Sequence, residues 1–77
     1  MINVNETELK VREILSFLLE LPENTIYEEL TSDSVSGWDS MKQVILIGAI
    51  ENEFDIYIDA KDAASLNSYK SLVKYLG

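Results

Sequence analysis

Apolar residues recur at helical spacing close to the N-terminus of this sequence. Four of them share one helical face: Val11, Ile14, Leu15 and Leu18. The spacing predicts a first helix from about Thr7 to Leu21. Asn5 or Thr7 is its expected N-cap. Pro22 is expected to end the helix, because the residue before a proline is pushed out of helical geometry.

A second helix is predicted to start at Asp39 or Ser40 and to end near Phe54. At about 100° per residue, its core face is expected to carry four apolar residues: Val44, Ile47, Ile50 and Phe54. Gln43 lies on the same side of this helix, and Leu46 lies at its margin. The opposite face is nearly uncharged and is expected to be exposed; it consists of Lys42, Ile45, Gly48, Ala49 and Asn52.

The remaining segments are shorter and less regular. Residues 22–38 are rich in turn-forming residues, and we expect an ordered connection with one short helical turn, held by Ile26, Leu30 and Trp38. Residues 55–59 alternate as a strand does, but no partner strand is predicted, so they are expected to be extended. A short helical turn is predicted within residues 60–65. A last helix is predicted over residues 68–76, with Ser68 as its N-cap.

These elements predict an all-α fold, a small bundle of three main helices plus one short helix. Residues 1–77 are expected to form a single domain, because so short a chain has no room for a second core. The sequence contains neither cysteine nor histidine. Disulfides, Cys/His zinc sites and Ser-His or Cys-His catalysis are therefore excluded. We expect no metal site and no free-standing enzyme.

The charge of the chain restricts its partners further. Fourteen acidic residues against six basic ones give a formal net charge of −8, which repels nucleic acid and anionic membrane surfaces. Hydrophobic residues make up 47% of the sequence, a globular and not a disordered composition. The longest apolar run, residues 44–50, is far shorter than the roughly 20 residues of a membrane span. With no signal peptide evident, we expect a cytoplasmic protein that does not insert into membranes.

One position is suited to carrying a covalent modification. Ser40 follows a polar loop and stands at the predicted first turn of the second helix, where free backbone N–H groups and the helix dipole favour an anion. A phosphodiester on its hydroxyl would lie in a favourable place, and Asp39 could help to hold a divalent cation there. Asp39 and Ser40 are also good helix-capping residues. Spacing alone leaves both interpretations open.

Residues 33–56 resemble the core of the acyl carrier protein and peptidyl carrier protein family. That family has an Asp-Ser-Leu or Asp-Ser-Met triplet at the start of its second helix, then spaced aliphatic residues and a Glu-x-x-Phe ending. The corresponding residues here are Asp39-Ser40-Met41 and Glu51 to Phe54. The resemblance extends over essentially the whole chain and implies an acyl-carrier-protein-like fold. Gly37-Trp38 before the triplet is similar to discrete carriers of specialised pathways.

The resemblance implies a defined role for two residues. Ser40 would receive 4′-phosphopantetheine from coenzyme A, added by a separate phosphopantetheinyl transferase that uses Mg²⁺ only during the modification. Asp39 would take part in recognition of the transferase and Mg²⁺. The thiol of the arm would then carry acyl groups as thioesters in fatty acid or polyketide biosynthesis. The chain itself, a monomer, would make no bonds; its further partners would be an acyl- or aminoacyl-loading ligase and a downstream synthase or transferase.

The second helix departs from the family pattern, because related fatty-acid carriers have acidic residues along its exposed face. A partner is expected to bind this less charged surface: Met41, Lys42, Ile45, Gly48, Ala49 and Asn52. Ile45 is either an isolated exposed aliphatic residue or the centre of that contact.

Two alternatives to an acyl carrier also remain. The chain is either an aminoacyl carrier, of the D-alanyl or peptidyl type, or an unmodified helical adaptor with the carrier fold.

Overall fold

The computed structural model of the protein describes residues 5–77, which form four α-helices and one 3₁₀ turn. The helices are α1 (Glu6–Leu19), α2 (Ser40–Phe54), α3 (Ala60–Ala63) and α4 (Tyr69–Leu76), and the 3₁₀ turn is Tyr27–Glu29. The predicted all-α bundle of three main helices and one short helix is confirmed. Within this described part of the chain, no helix has the length and apolarity needed to cross a membrane.

Capping side chains set the starts of the helices. The Asn5 side chain accepts a hydrogen bond from the Glu8 backbone N–H at 2.8 Å, and the Glu8 carboxylate accepts one from the Asn5 N–H at 3.3 Å. This reciprocal pair satisfies two backbone donors that the first turn of α1 leaves free. Ser68 caps α4 in the same way with Ser71. The predicted caps Asn5 and Ser68 are both confirmed.

The predicted end of α1 at Leu21 is wrong by two residues. The helix ends at Leu19, and Glu20 adopts a left-handed conformation with φ of 52°. The N–H groups of Glu20 and Leu21 both donate to the Ser16 carbonyl. These hydrogen bonds end the helix before Pro22. Leu21, which follows the helix, packs against the edge of the core.

The buried face of α2 is centred on other residues than its apolar pattern predicted, so the helix is rotated about its axis relative to that prediction. Leu46 and Ile50 are buried at 1% and 0% exposure, whereas Val44 is 73% exposed. The predicted core position of Val44 is therefore wrong, and Leu46 is central. Val44 lies roughly 120° around the helix from Ile50, on an exposed side of α2. The other predicted core residues of α2 are confirmed as buried or partly buried: Ile47, Ile50 and Phe54.

The core is formed by residues of α1, α2, α4 and the connecting segments. It consists of Val11, Leu15, Leu30, Trp38, Leu46, Ile47, Ile50, Ile58, Leu66, Tyr69 and Leu72. Two of the three predicted anchors of the long connection, Leu30 and Trp38, are confirmed. Ile26 is 60% exposed, so its predicted anchoring role is wrong. The backbone turns at the 3₁₀ segment immediately after it, and this turn places Tyr27, not Ile26, against the core.

Arg12 joins α1 to the 3₁₀ turn and to α4. Its guanidinium group lies 5.0 Å from the ring centre of Tyr27 and 5.3 Å from that of Tyr69. The Arg12 Nε donates to the Tyr69 hydroxyl at 3.0 Å, and that hydroxyl donates to the Glu8 carboxylate at 3.3 Å. Burial raises the pKa of the Tyr69 hydroxyl above its ordinary value, so the group remains a donor at neutral pH.

The orientation of α2 predicts that substitutions at two nearby positions change the free energy of unfolding by very different amounts. Leu46→Ala should lower the free energy of unfolding by about 2–5 kcal/mol, because it removes a fully buried side chain and leaves a cavity. Val44→Ala is the matched control and should change it by no more than about 0.5 kcal/mol, because Val44 is exposed. Urea unfolding followed by circular dichroism measures both values. A larger loss for Val44→Ala than for Leu46→Ala would show that the orientation of α2 is wrong.

Candidate functional site

Ser40 is the first residue of α2, and it is exposed. Asp39 is the N-cap; its Oδ1 accepts a hydrogen bond from the Lys42 N–H at 2.9 Å. Because Asp39 caps the helix, the Ser40 hydroxyl is not required for that purpose. The positive end of the α2 dipole and the N–H groups of its first turn lie beside this hydroxyl, which favours a negatively charged group there.

The loop before Ser40 is held in place by Trp38. This side chain is 4% exposed and belongs to the core. Its backbone N–H donates to the Val35 carbonyl at 3.0 Å, and its indole Nε1 donates to the Gln43 Oε1 at 2.7 Å. Since only Asp39 separates Trp38 from Ser40, burial of the indole fixes the point at which the chain enters α2.

The side-chain amide of Gln43 connects this loop to the segment around the end of α3. Its Oε1 accepts from Trp38, and its Nε2 donates to the carbonyls of Ala63 at 3.0 Å and Leu66 at 2.9 Å. Both donors of the amide and its acceptor are thus used. The sequence placed Gln43 on the core side of α2 but assigned it no function. A polar residue at a core-facing position requires hydrogen-bond partners. The position of Gln43 in the sequence therefore indicates a buried contact, although not with which residues.

A cleft of about 400 Å³ opens beside Ser40. It is lined by Ser32, Asp33, Trp38, Asp39, Ser40, Gln43, Ala64 and Asn67. The loop side and the α3–α4 side of the cleft are joined by a hydrogen bond from the Ser32 N–H to the Asn67 carbonyl, 2.9 Å long. The predicted site residues Asp39 and Ser40 therefore lie at the edge of a partly polar depression, not on a flat surface.

The carboxylates near Ser40 are few. Asp33 and Asp39 both line the cleft. Across residues 5–77, no group of three acidic side chains is placed to hold a metal ion. A divalent cation here would need further oxygen ligands from another molecule, because magnesium requires a nearly complete octahedral shell.

The outer surface of α2 next to Ser40 is apolar. Met41 and Val44 are each 73% exposed, and Ile45 is 47% exposed. The other residues of the predicted partner surface divide into two groups. Gly48 and Asn52 are exposed, whereas Lys42 and Ala49 are partly buried. The Lys42 Nζ donates to the Leu18 carbonyl at 3.3 Å, so this side chain bridges α2 to α1, contrary to its predicted outward position.

Ile45 is not isolated. It lines a shallow groove of about 330 Å³ between α1 and α2, together with Glu13, Ile14, Phe17, Leu18 and Ala49. Phe17 on α1 is 86% exposed and reaches the same groove. The apolar pattern predicts no role for Phe17, although a phenylalanine outside the apolar face of an amphipathic helix is a visible sign of a binding surface.

Comparisons with known proteins agree with this geometry. The sequence model of the family described as "Phosphopantetheine attachment site" matches residues 9–76. The chain belongs to this carrier protein family. Among curated relatives, the "Acyl carrier protein" of Buchnera aphidicola subsp. Schizaphis graminum is 34% identical over 73 residues, which cover 95% of this chain and 92% of the relative. "Acyl carrier protein 3" of Ralstonia nicotianae is 30% identical over 67 residues, covering 87% of this chain and 77% of that protein.

Membership of the carrier family confirms the resemblance found in the sequence. The matched region contains α2, the cleft and nearly all of α1 and α4. The residues at the cleft also fit a phosphopantetheine group, because an exposed serine hydroxyl stands at the positive end of a helix beside open space.

Proposed function

We propose that this chain is a discrete acyl carrier protein whose Ser40 carries a 4′-phosphopantetheine arm. The observation that supports this most strongly is the exposed Ser40 at the start of α2, within the region that matches the attachment family. The cap formed by Asp39 leaves the Ser40 hydroxyl available to a modifying enzyme. The chain then serves as a shuttle and makes no bonds itself.

The modification requires a co-substrate and a second enzyme. The Ser40 oxygen attacks the phosphorus that joins pantetheine to the nucleotide part of coenzyme A, and a phosphodiester to Ser40 forms. The P–O bond between this phosphorus and the bridging oxygen breaks, the nucleoside bisphosphate leaves, and the hydroxyl proton passes to a base of the transferase. Asp39 would offer a carboxylate oxygen to the Mg²⁺ that the transferase uses. The attached arm supplies a terminal thiol that holds an acyl group as a thioester.

Two other functions fit the same site less specifically. An aminoacyl carrier, of the D-alanyl or peptidyl type, would use Ser40 in the same way and differ only in its cargo. An unmodified helical adaptor would keep the fold without using Ser40. The names of the two relatives described above favour the acyl carrier. We also propose that residues 1–77 act as one domain, as a monomer and in the cytoplasm.

Modification of Ser40 is tested by intact-protein mass spectrometry. The purified chain is incubated with coenzyme A, Mg²⁺ and a promiscuous phosphopantetheinyl transferase. We expect the mass to increase by one phosphopantetheinyl group, and we expect no increase for Ser40→Ala. Ser36→Ala, a change in the exposed loop before Trp38, is the control and should be modified like the wild type. An unmodified wild type, or an adduct on Ser40→Ala, would count against the carrier function.

We further propose that partner enzymes bind the apolar outer surface of α2. Met41, Val44 and Ile45 form this surface next to the arm-bearing serine, and Phe17 extends it across the groove to α1. Burial of such a contiguous apolar area supplies affinity without charge pairing. The loading ligase would therefore recognise shape at this surface, although the chain as a whole is strongly acidic.

Ile45→Glu tests this surface. It should slow acyl loading by the cognate ligase at least about tenfold, equivalent to about 1.4 kcal/mol, because it places a charge in the apolar contact. Tyr57→Glu adds the same charge at a side chain that is 81% exposed after the end of α2, and it should load at the wild-type rate. Equal rates for the wild type and Ile45→Glu would exclude Ile45 from the contact.

A further inference from the structure

Side chains of α2 donate or accept hydrogen bonds along residues 58–66, the segment that contains α3 and is called the α3 segment below. These bonds close the boundary between α2 and that segment. At the Ser40 end, the Gln43 amide binds the carbonyls of Ala63 and Leu66. Two helical turns further along, the Glu51 carboxylate accepts a hydrogen bond from the Ile58 N–H at 2.8 Å. Residues 43, 47 and 51 follow one another at four-residue spacing and share one flank of the helix. This flank therefore holds the α3 segment at both ends.

The core begins directly behind the Gln43 contact. Leu66, whose carbonyl Gln43 binds, is almost fully buried, and so is Leu46, one turn further along α2. Gln43 also lines the cleft next to Ser40. It thus stands between the place where an arm would be attached and the apolar interior of the bundle.

An apolar cargo on that arm gains free energy by leaving water, and the gain grows with each methylene. To enter the bundle between α2 and α3, the cargo would have to displace Gln43. Displacement would remove the hydrogen-bond partner of the Trp38 indole N–H and of the Leu66 carbonyl, whereas the Ala63 carbonyl would still accept from the Leu66 N–H. A polar group that an apolar acyl chain covers and leaves without a partner costs more than one methylene gains. An acetyl or butyryl chain has too few methylenes to compensate for two such groups.

We infer that Gln43 keeps the interior closed to the cargo of the Ser40 arm, so that this carrier presents short or polar acyl groups at its surface. Gln43 then determines cargo specificity by excluding the acyl chain from the core. The inference rests on the proposed function, because it requires the arm on Ser40. It concerns where the cargo lies and not whether the arm is attached.

The thermal stability of a series of acylated proteins tests this inference. Acetyl, butyryl, hexanoyl and octanoyl forms are prepared with the transferase and the corresponding acyl-coenzyme A, and intact mass verifies each form. For the wild type we expect the same melting temperature in the acetyl and butyryl forms, because these short chains remain in water. Gln43→Ala should melt at a lower temperature when it carries acetyl. Its melting temperature should then rise with chain length, because the opened boundary admits the longer chains.

Asn67→Ala provides the matched control. Asn67 lines the same cleft, but its bond to Ser32 comes from the backbone carbonyl, which the substitution retains. This variant should show the same series as the wild type. A flat series for Gln43→Ala would overturn the role of Gln43. A wild-type melting temperature that rises from acetyl to butyryl would overturn the exclusion itself.

A second measurement covers the case in which Gln43→Ala does not fold. In the wild type, the methyl resonances of Leu46 and Leu66 should be unchanged between the acetyl and butyryl forms, and a shift of either would overturn the inference. The mass measurement separates this inference from the proposed function. If no adduct forms on the wild type, the carrier function and this inference both fail. If adducts form and the methyl resonances shift, the inference alone fails.

Discussion

Three separate segments of the chain meet at the side-chain amide of Gln43. The amide binds the Trp38 indole in the loop before α2 and two carbonyls at the end of α3. A glutamine on a partly buried flank is stable only when its donors and acceptor have partners, and here all are supplied from other parts of the chain. The position of the α2 start relative to α3 therefore depends on this group. Ser40 and its cleft depend on the same position, because Trp38 and Gln43 both line the cleft.

The two flanks of α2 make different kinds of contact. One flank is fixed to the α3 segment by hydrogen bonds, and the other packs against α1, where Lys42 reaches the Leu18 carbonyl. The outer surface then remains for contact with other proteins, and Met41 and Val44 make it apolar. Although the chain of 77 residues has a net charge of −8, the surface beside the proposed modification site is apolar and not acidic. Shape and apolar area are the properties that a partner would recognise there.

The sequence predicted the helices and their caps well, because those features are local. Asn5, Ser68 and the first residue of α2 follow from side chains within three or four positions. The rotation of α2 could not be predicted in the same way. Periodicity shows that a helix has an apolar side, but the neighbouring helices decide where its centre lies. The partners of Gln43 on the far side of the cleft are 20 and 23 residues away in sequence, so no local pattern identifies them.

Hydrogen exchange at the Trp38 indole is the most direct measure of whether Gln43 holds the site together. Trp38 is the only tryptophan of the chain, so its Nε1–H gives one assigned NMR signal. Since this group is bound to Gln43 and lies in the core, it should exchange only when the bundle opens. We predict protection equal to that of the slowest backbone amides of α2, and loss of this protection in Gln43→Ala. An indole N–H that exchanges in the native wild type as fast as in an unfolded peptide would contradict the account.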